Sequence, residues 1–136
     1  MKPWKRLFQE SSILFDLGDD FTLQFSKHQD GIPLDWWSIK KGGSTVGEVK
    51  IFPESFNSYG PSVDFIWISG SHRKLGLGRK AIRALANHYG SLASSLEGET
   101  SESARKMWES LGAKKVPSRN HNGFVYKLFR QKGNLS

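Results

Sequence analysis

The apolar residues of this chain change their period once, near residue 70, and this change limits the folds available to it. Before that point they alternate with polar residues or form short runs, as in Phe21–Phe25, Trp36–Lys40 and Val46–Phe52. After it they recur at helical spacing within residues 79–89 and 104–111. The order predicts a meander of strands, then strand–helix–strand–helix–strand. We therefore expect one mixed α/β domain over residues 1–136.

Local signals place the remaining elements. Gly90 and Gly112 follow the two helical patterns as C′ residues, Thr100 or Ser101 can cap the second helix, and Pro117 prevents its resumption. Val63–Ser69 is nearly all apolar, so we expect a central strand that is covered on both faces. Further strand candidates are Ser12–Leu17, Leu92–Leu96 and Gly123–Arg130.

Composition excludes several classes of protein. Cysteine is absent, which excludes disulfide frameworks, thiolate nucleophiles and cysteine-based zinc sites. No apolar run approaches the ~20 residues of a membrane helix, and no apolar signal-peptide core follows the basic start. His28, His88 and His121 show no partner pattern for a metal. We expect a cytoplasmic protein without a membrane association or a metal.

Charge is unevenly distributed along the chain. The net charge is +7, but residues 1–71 hold seven basic and nine acidic residues, whereas residues 72–136 hold thirteen basic and four acidic ones. The second half is therefore expected to meet an anionic partner. Nucleic acid, a phosphorylated cofactor and an acidic protein surface all fit this expectation.

The segment Ile66–Arg79, IWISGSHRKLGLGR, joins a buried strand to a helix through a tight basic turn. A helix start has unpaired N–H groups and the positive end of the helix dipole. Gly76 and Gly78 lack Cβ, so an anion can approach the backbone closely. The pattern predicts a phosphate or diphosphate cradle. The alternative is a plain strand-to-helix turn whose basic residues are solvated, and the sequence does not exclude it. The surrounding positive residues are Arg73, Lys74, Arg79 and Lys80.

Two other phosphate motifs fit less well. A Walker loop requires Gly-Lys-Ser/Thr at the helix start, and Gly78 is followed by Arg79. Gly76, Gly78 and Ala81 match the relaxed dinucleotide fingerprint, and Glu97 lies 21 residues after Gly76. That fingerprint belongs to the first unit of a large parallel sheet, however, and only 39 residues follow Glu97.

The chain resembles the GNAT superfamily of acyl-CoA N-acyltransferases. Arg73-Lys74-Leu75-Gly76-Leu77-Gly78 matches the Arg/Gln-x-x-Gly-x-Gly/Ala signature of that family, and Ile68 stands where its pantetheine-pairing Val usually stands. The segment 101–113 resembles the later Asn-x-x-Ala-x-x-x-Tyr-x-x-x-Gly-Phe stretch at the usual distance. The resemblance covers residues 62–130.

The resemblance implies a fold and a reaction. The fold would be a central mixed, mostly antiparallel sheet with flanking helices, with the cofactor-binding part at about residues 62–112. Acetyl-CoA would be the co-substrate, and a deprotonated amine would attack its thioester directly, with the oxyanion held by a backbone N–H, at Ile68 in this chain. The cofactor-binding residues would be Ile66, Ile68, Arg73, Lys74, Leu75, Gly76, Leu77, Gly78, Arg79 and Trp108.

The chain departs from the family pattern in two informative ways. Trp108 replaces the Tyr that often protonates the leaving thiolate, and an indole N–H is a very weak acid. Trp108 either packs against pantetheine or belongs to the core. The family usually has two helices between its first two strands, but only Ser26–Asp35 lies between the corresponding strands here. A reduced or missing helical pair implies an open acceptor cleft, which suits a protein or peptide acceptor.

Candidate proton-transfer groups follow from placement. Strict alternation puts Asp64 on the face of Ile66 and Ile68, directed toward the acceptor, as a general base; a solvated strand end is the alternative. Glu97 (or Glu99) closes the next strand as another base. Tyr126 is the phenol that could replace the missing Tyr, and His72 is a surface or phosphate-contacting residue.

Two rival functions remain open at this stage. One is a CoA-binding module without efficient chemistry, which Trp108 favours. The other is a nucleic-acid-binding protein, which the basic second half and the exposed aromatic potential of Trp4, Trp36 and Trp37 favour. Because the basic residues converge on one turn and two helices instead of interleaving with aromatics along a strand face, we do not expect nucleic acid as a partner. Some family members dimerise through the last strand, which makes the edge around Gly123–Arg130 a candidate interface.

Overall fold

The computed structural model describes residues 13–53, 60–95, 100–117 and 123–131. These residues form eight strands, two α-helices and a 3-10 turn at Gly70–His72. The elements in chain order are β1 (Leu14–Gly18), β2 (Phe21–Gln29), β3 (Leu34–Lys41), β4 (Ser44–Phe52), β5 (Ser62–Ile68), α1 (Leu77–Tyr89), β6 (Ser91–Ala93), α2 (Glu102–Ser110), β7 (Lys114–Pro117) and β8 (Phe124–Phe129).

All eight strands belong to one sheet in the order β1-β2-β3-β4-β5-β6-β8-β7. Neighbouring strands are antiparallel except β5 and β6, which are parallel and joined by the α1 crossover. The predicted mixed α/β class with a mostly antiparallel sheet is confirmed. The connections between β1 and β2 and between β2 and β3 contain only residues 19–20 and 30–33, so neither contains a helix.

Strand β7 was not predicted from the sequence. Lys114–Pro117 pairs antiparallel with β8 and forms one edge of the sheet. Its two lysines and its proline suit an edge, where a missing N–H and exposed charges discourage further pairing. The same residue types weaken the strand signal in the sequence.

Both helices pack on the same face of the sheet. A Cβ on Gly78 of α1 would contact the side chains of Ile66 and Ile68 in β5 and of Met107 in α2. Ser101 caps α2 as predicted, since its Oγ accepts a hydrogen bond from the Ala104 N–H at 3.2 Å. The predicted apolar stripe of α1 is buried in the shared core, with Ile82, Leu85 and Ala86 at its centre.

The opposite face of β5 is open, and the prediction that this strand is covered on both faces is wrong. Phe65 and Trp67 are 43% and 42% exposed. A right-handed crossover places α1 on one side of the parallel pair β5–β6, and α2 packs on that side too. Among the described residues no helix remains for the other face.

A hydrogen-bonded chain fixes the C-terminal end of α1 to the sheet. The Trp37 indole N–H donates to the Tyr89 hydroxyl at 2.9 Å, and that hydroxyl donates to Asp35 at 2.6 Å. His28 Nδ1 lies 2.6 Å from the other Asp35 oxygen. The pKa of the Tyr89 hydroxyl is raised far above its usual range, mainly by burial and secondly by the hydrogen bond to Asp35, so the hydroxyl stays protonated. Trp37 is therefore a core residue and not an exposed aromatic one.

Gly47 allows β4 and β5 to approach each other at the end of their ladder. A Cβ at this position would lie 2.7 Å from the Trp67 carbonyl oxygen, which is backbone and cannot move away independently. Gly47 pairs with Ile68, so a side chain there would push on the end of β5 that leads into the turn. The position of the turn thus depends on this glycine.

We expect Gly47→Ala to lower the free energy of unfolding by about 2 kcal/mol, because overpacking against backbone forces a strand shift. Urea denaturation monitored by tryptophan fluorescence measures the change. Gly43→Ala is the matched control, since a Cβ there would meet nothing within 4 Å. Equal stability of the two variants would show that the ladder tolerates a side chain at Gly47.

Candidate functional site

Strands β5 and β6 diverge soon after they meet. Among the described residues only Ser62 and Ala93 are paired between them, and the Ala93 N–H donates to the Pro61 carbonyl at 2.8 Å. Beyond this pair, the Ser95 hydroxyl lies 3.5 Å from the Val63 carbonyl of β5, which is long for a hydrogen bond. A wedge-shaped gap therefore opens beside β5.

The edge of β5 that faces this gap presents the backbone of Ile68. Ser69 N–H donates to the Val46 carbonyl in β4, and successive residues of a strand direct their polar groups to opposite sides. The N–H and C=O of Ile68 therefore point away from β4. The Arg73 Nε–H donates to the Ile68 carbonyl at 3.0 Å, which confirms the direction. The Ile68 N–H therefore faces the gap.

The connection from β5 to α1 folds into a compact turn. His72 Nδ1 lies 2.7 Å from the Ser69 hydroxyl, and its ring packs edge-on against Phe21. Lys74 has φ +70° and Gly76 has φ +75°, so both occupy the left-handed region. That conformation is ordinary for glycine but costs energy at lysine. Left-handed residues within a turn direct successive N–H groups into a concave surface that can hold an anion.

The N–H groups at the start of α1 are not capped by a side chain. Gly76 is the N-cap and supplies no side-chain cap, and the first turn contains no acidic residue. The first intrahelical bond runs from Lys80 N–H to the Gly76 carbonyl at 3.1 Å. The N–H groups of Leu77, Gly78 and Arg79 therefore have no intrahelical acceptor. They are directed to the place where the sequence predicted a diphosphate.

A groove of about 500 Å³ connects this turn to α2. Arg73, Lys74 and Arg79 line it as predicted, but Lys80 lies beside Gly18 at the end of β1. A larger depression of about 920 Å³ at the β1–β2 hairpin is lined by three aspartates and does not suit a phosphate. His72, which the sequence analysis placed at the surface or beside a phosphate, also lines the groove. Lining residues that sequence reasoning missed are Ser103, Lys106, Met107 and Ser110.

Met107, and not Trp108, is the residue of α2 that lines the groove. Its Sδ would lie 3.5 Å from a Cβ on Gly78, in ordinary contact. Trp108 is 3% exposed and belongs to the core beneath α2. The core interpretation of Trp108 is therefore correct, and its assignment to the cofactor site has no support in the geometry. Neighbouring helical residues point about 100° apart, so only one of the two can face the groove.

Asp64 occupies a bulge, so the parity that placed it with Ile66 and Ile68 fails. The register shifts between Lys50 and Ile51, which leaves Asp64 without a partner in β4. Val63 takes the position on the core side, and Asp64 is exposed to solvent.

The other two proton-transfer candidates are placed differently. The Tyr126 phenol is almost fully buried and donates to the Glu109 carboxylate of α2 at 2.9 Å. Its backbone pairs with Ser94, next to the gap, since the Ser94 N–H donates to the Tyr126 carbonyl at 2.8 Å. Glu97 and Glu99 lie outside the described residues.

Within residues 13–53, 60–95, 100–117 and 123–131, no group of three or more His, Asp and Glu side chains is arranged to bind a metal. Neither α1 nor α2 has the length and apolar character needed to cross a membrane.

The sequence matches the Acetyltransferase (GNAT) family over residues 2–113, and the chain belongs to that family. The turn, the gap and the second helix described above all lie within or beside the matched range. A search of curated proteins found no match.

Solved structures share the fold at low sequence identity. A probable acetyltransferase superposes with a TM-score of 0.62 at 11% identity, covering 86% of this chain and 97% of the other. The ribosomal-protein-S5-alanine acetyltransferase of Vibrio fischeri gives 0.60 at 8% identity, covering 89% and 98%. A GNAT acetyltransferase of Elizabethkingia anophelis, solved with acetyl-CoA bound, gives 0.58 at 11% identity, covering 82% and 99%.

Lys74 allows the strain in the turn to be measured separately from its charge. Lys74→Gly and Lys74→Val remove the same charge, but only glycine adopts φ +70° without cost. We expect the valine variant to be less stable than the glycine variant by about 1 kcal/mol or more. Thermal unfolding of both proteins at equal ionic strength checks this expectation. Identical melting curves would mean that the turn relaxes to accept a β-branched residue.

Proposed function

We propose that this protein transfers the acetyl group of acetyl-CoA to an amine by direct attack within a ternary complex. The observation that carries the proposal is the gap beside β5, which leads to the uncapped start of α1 in a chain of the GNAT family. A strand edge with free polar groups suits the amides of pantetheine. Unpaired helix N–H groups surrounded by cations suit a diphosphate.

The proposed binding mode follows from these two features. The amides from Lys74 to Arg79 bind the diphosphate, and Arg73, Arg79 and Lys106 supply positive charge along the groove. The pantetheine arm lies along β5, over the floor formed by Ile66, Ile68 and Met107. A Cβ on Gly78 would be in ordinary contact with this floor, so a larger side chain there would extend into the groove.

The proposed chemistry needs one base, one oxyanion donor and one acid. The neutral amine nitrogen attacks the thioester carbon, and the Ile68 N–H stabilises the oxygen that becomes negative. The carbon–sulfur bond then breaks, the nitrogen loses a proton to a base, and the sulfur of CoA takes up a proton. Asp64 and Glu97 are the proposed bases. Tyr126 is the proposed acid. To act as one, its hydroxyl has to leave the hydrogen bond to Glu109 and donate to the thiolate instead.

The open face of β5 supports a protein or peptide amine as the acceptor. The short β1–β2 and β2–β3 connections build no helical wall around this face. Two structural neighbours act on ribosomal-protein alanines, according to their names. We expect mass spectrometry of cells with and without this protein to find acetylated lysines or N-termini that depend on it. If only the acetylation of small amines depended on the protein, the proposal of a polypeptide acceptor would be wrong, whereas the proposed acetyl transfer would stand.

A second candidate is a CoA-binding protein with little catalysis. The buried Trp108 at the usual Tyr position and the bond from Tyr126 to Glu109 favour it. Binding measurements do not separate the two candidates. Release of free CoA thiol in the presence of amines does, because only a transferase releases it faster with acceptor than without.

We expect Gly78→Trp to weaken acetyl-CoA binding by roughly a hundredfold, equivalent to about 2.7 kcal/mol, because the indole would occupy the diphosphate position. Isothermal titration calorimetry measures the affinity. Gly43→Trp introduces the same side chain into an open hairpin turn and should bind acetyl-CoA normally. Unchanged affinity in a folded Gly78→Trp protein would refute the proposed cradle.

A further inference from the structure

The open face of the sheet carries a row in which lysine and aromatic side chains alternate across four strands. Lys27 of β2 pairs in register with Trp36 of β3, Trp36 with Lys50 of β4, and Lys50 with Phe65 of β5. We call these four residues the lysine–aromatic row. Its members are distant in sequence, so the alternation exists only in the folded sheet.

The side chains of the row contact one another closely. The Nζ atoms of Lys27 and Lys50 lie 4.3 Å and 4.0 Å from the centroid of the Trp36 ring, and Lys50 Nζ also lies 5.2 Å from the Phe65 ring. The Trp36 indole N–H donates to Gln29 at 3.2 Å, which orients the ring. Each exposed cation–π contact contributes only about 0.5–1 kcal/mol, so the lysines can leave the rings at small cost.

Trp67 extends the aromatic surface along β5. It lies two residues beyond Phe65, on the same face and about 7 Å away. Both rings keep more than two fifths of their surface in solvent. The water-facing side of an antiparallel sheet is normally polar, so two adjacent large exposed rings indicate a binding surface.

Within the part of the chain that the structure describes, no carboxylate forms an ion pair with the lysines of the row. Neither Lys27 nor Lys50 takes part in the ion pairs of the described residues. Two acidic residues lie near this surface: Glu48, in register with Trp67, and the exposed Asp64, which directly precedes Phe65. Two ammonium groups beside one ring, without a paired carboxylate, are complementary to a partner that carries repeated negative charges.

We propose that the lysine–aromatic row, together with Trp67, binds single-stranded nucleic acid. Phosphates would draw Lys27 and Lys50 away from the rings, and unpaired bases would stack on Phe65, Trp67 and the uncovered Trp36. Stacking on sheet aromatics beside basic side chains is a general way of binding single strands. A duplex hides its base faces and an acidic peptide has no comparable flat rings, so neither uses the whole surface.

This proposal reverses the prediction made against nucleic acid. That prediction assumed that basic and aromatic residues do not interleave on a strand face. They do not interleave along the chain, but they do so across the strands. The surface is also independent of the acetyl-CoA groove, because Phe65 and Trp67 point away from the face on which Ile66 and Ile68 contact α1.

Fluorescence anisotropy with a labelled 12-nucleotide oligo-dT tests the proposal on the full chain. We expect binding that weakens as salt rises, and roughly tenfold weaker binding for Phe65→Ala and for Trp67→Ala, from the loss of one stacked base each. Lys27→Gln with Lys50→Gln should reduce the slope of log affinity against log salt by about 1.4, since each phosphate contact on a single strand contributes about 0.7. Because Lys27, Phe65 and Trp67 are exposed and Lys50 is only half-buried, melting temperatures should stay near that of the original protein.

Matched controls exist at the other end of the sheet. Phe129 is 49% exposed and has Lys127 5.3 Å from its ring, and Lys115 lies 4.7 Å from the Phe124 ring. Phe129→Ala and Lys115→Gln should leave oligo-dT binding unchanged. Equal losses in these controls, equal affinity for a duplex of the same length, or binding of polyglutamate but not of oligo-dT would each overturn the proposal. Acetyl-CoA affinity of Phe65→Ala, measured in parallel, should not change.

Discussion

The structure depends on the fact that β5 is fully paired along only one of its edges. The ladder with β4 holds the strand from Ser62 to Ile68, while β6 contacts it at a single described position. Polar backbone groups at an unpaired edge need partners, and in a soluble domain such an edge is normally covered or kept short. Here it lies beside an uncapped helix start, so one wedge of space joins a strand edge to an anion-binding turn.

The two faces of the sheet have different roles because both crossovers use the same side. The helices bury one face and form the groove, which contains the family signature. The other face keeps a meander that no described helix covers, and therefore shows its side chains to solvent. This division explains how a chain of this size can combine a proposed cofactor groove on one face of the sheet with a proposed surface for partners on the other.

Much of this architecture could be predicted from sequence, because periodicity and capping are local. The helix patterns, Ser101 as a cap and the glycine turn are examples in which the relevant residues are close together in the chain. The bulge at Asp64 could not be predicted, since VDFIWI reads as an uninterrupted strand and the irregularity arises from its pairing with β4. The choice between Met107 and Trp108 likewise depends on how α2 is rotated against α1. The lysine–aromatic row depends on register across four strands.

The bond from Arg73 to the Ile68 carbonyl links the two ends of the groove. The Arg73 guanidinium occupies the carbonyl of the last residue of β5 by a hydrogen bond, and it also lies at the entrance of the anion-binding turn. A ligand whose phosphates attract Arg73 would thereby uncover that carbonyl for its own amide. Binding of the phosphate end of such a ligand would thus free the backbone group on β5 beside which its other end has to lie. Long molecules with a phosphate tail would therefore be favoured over short thioesters of the same reactivity.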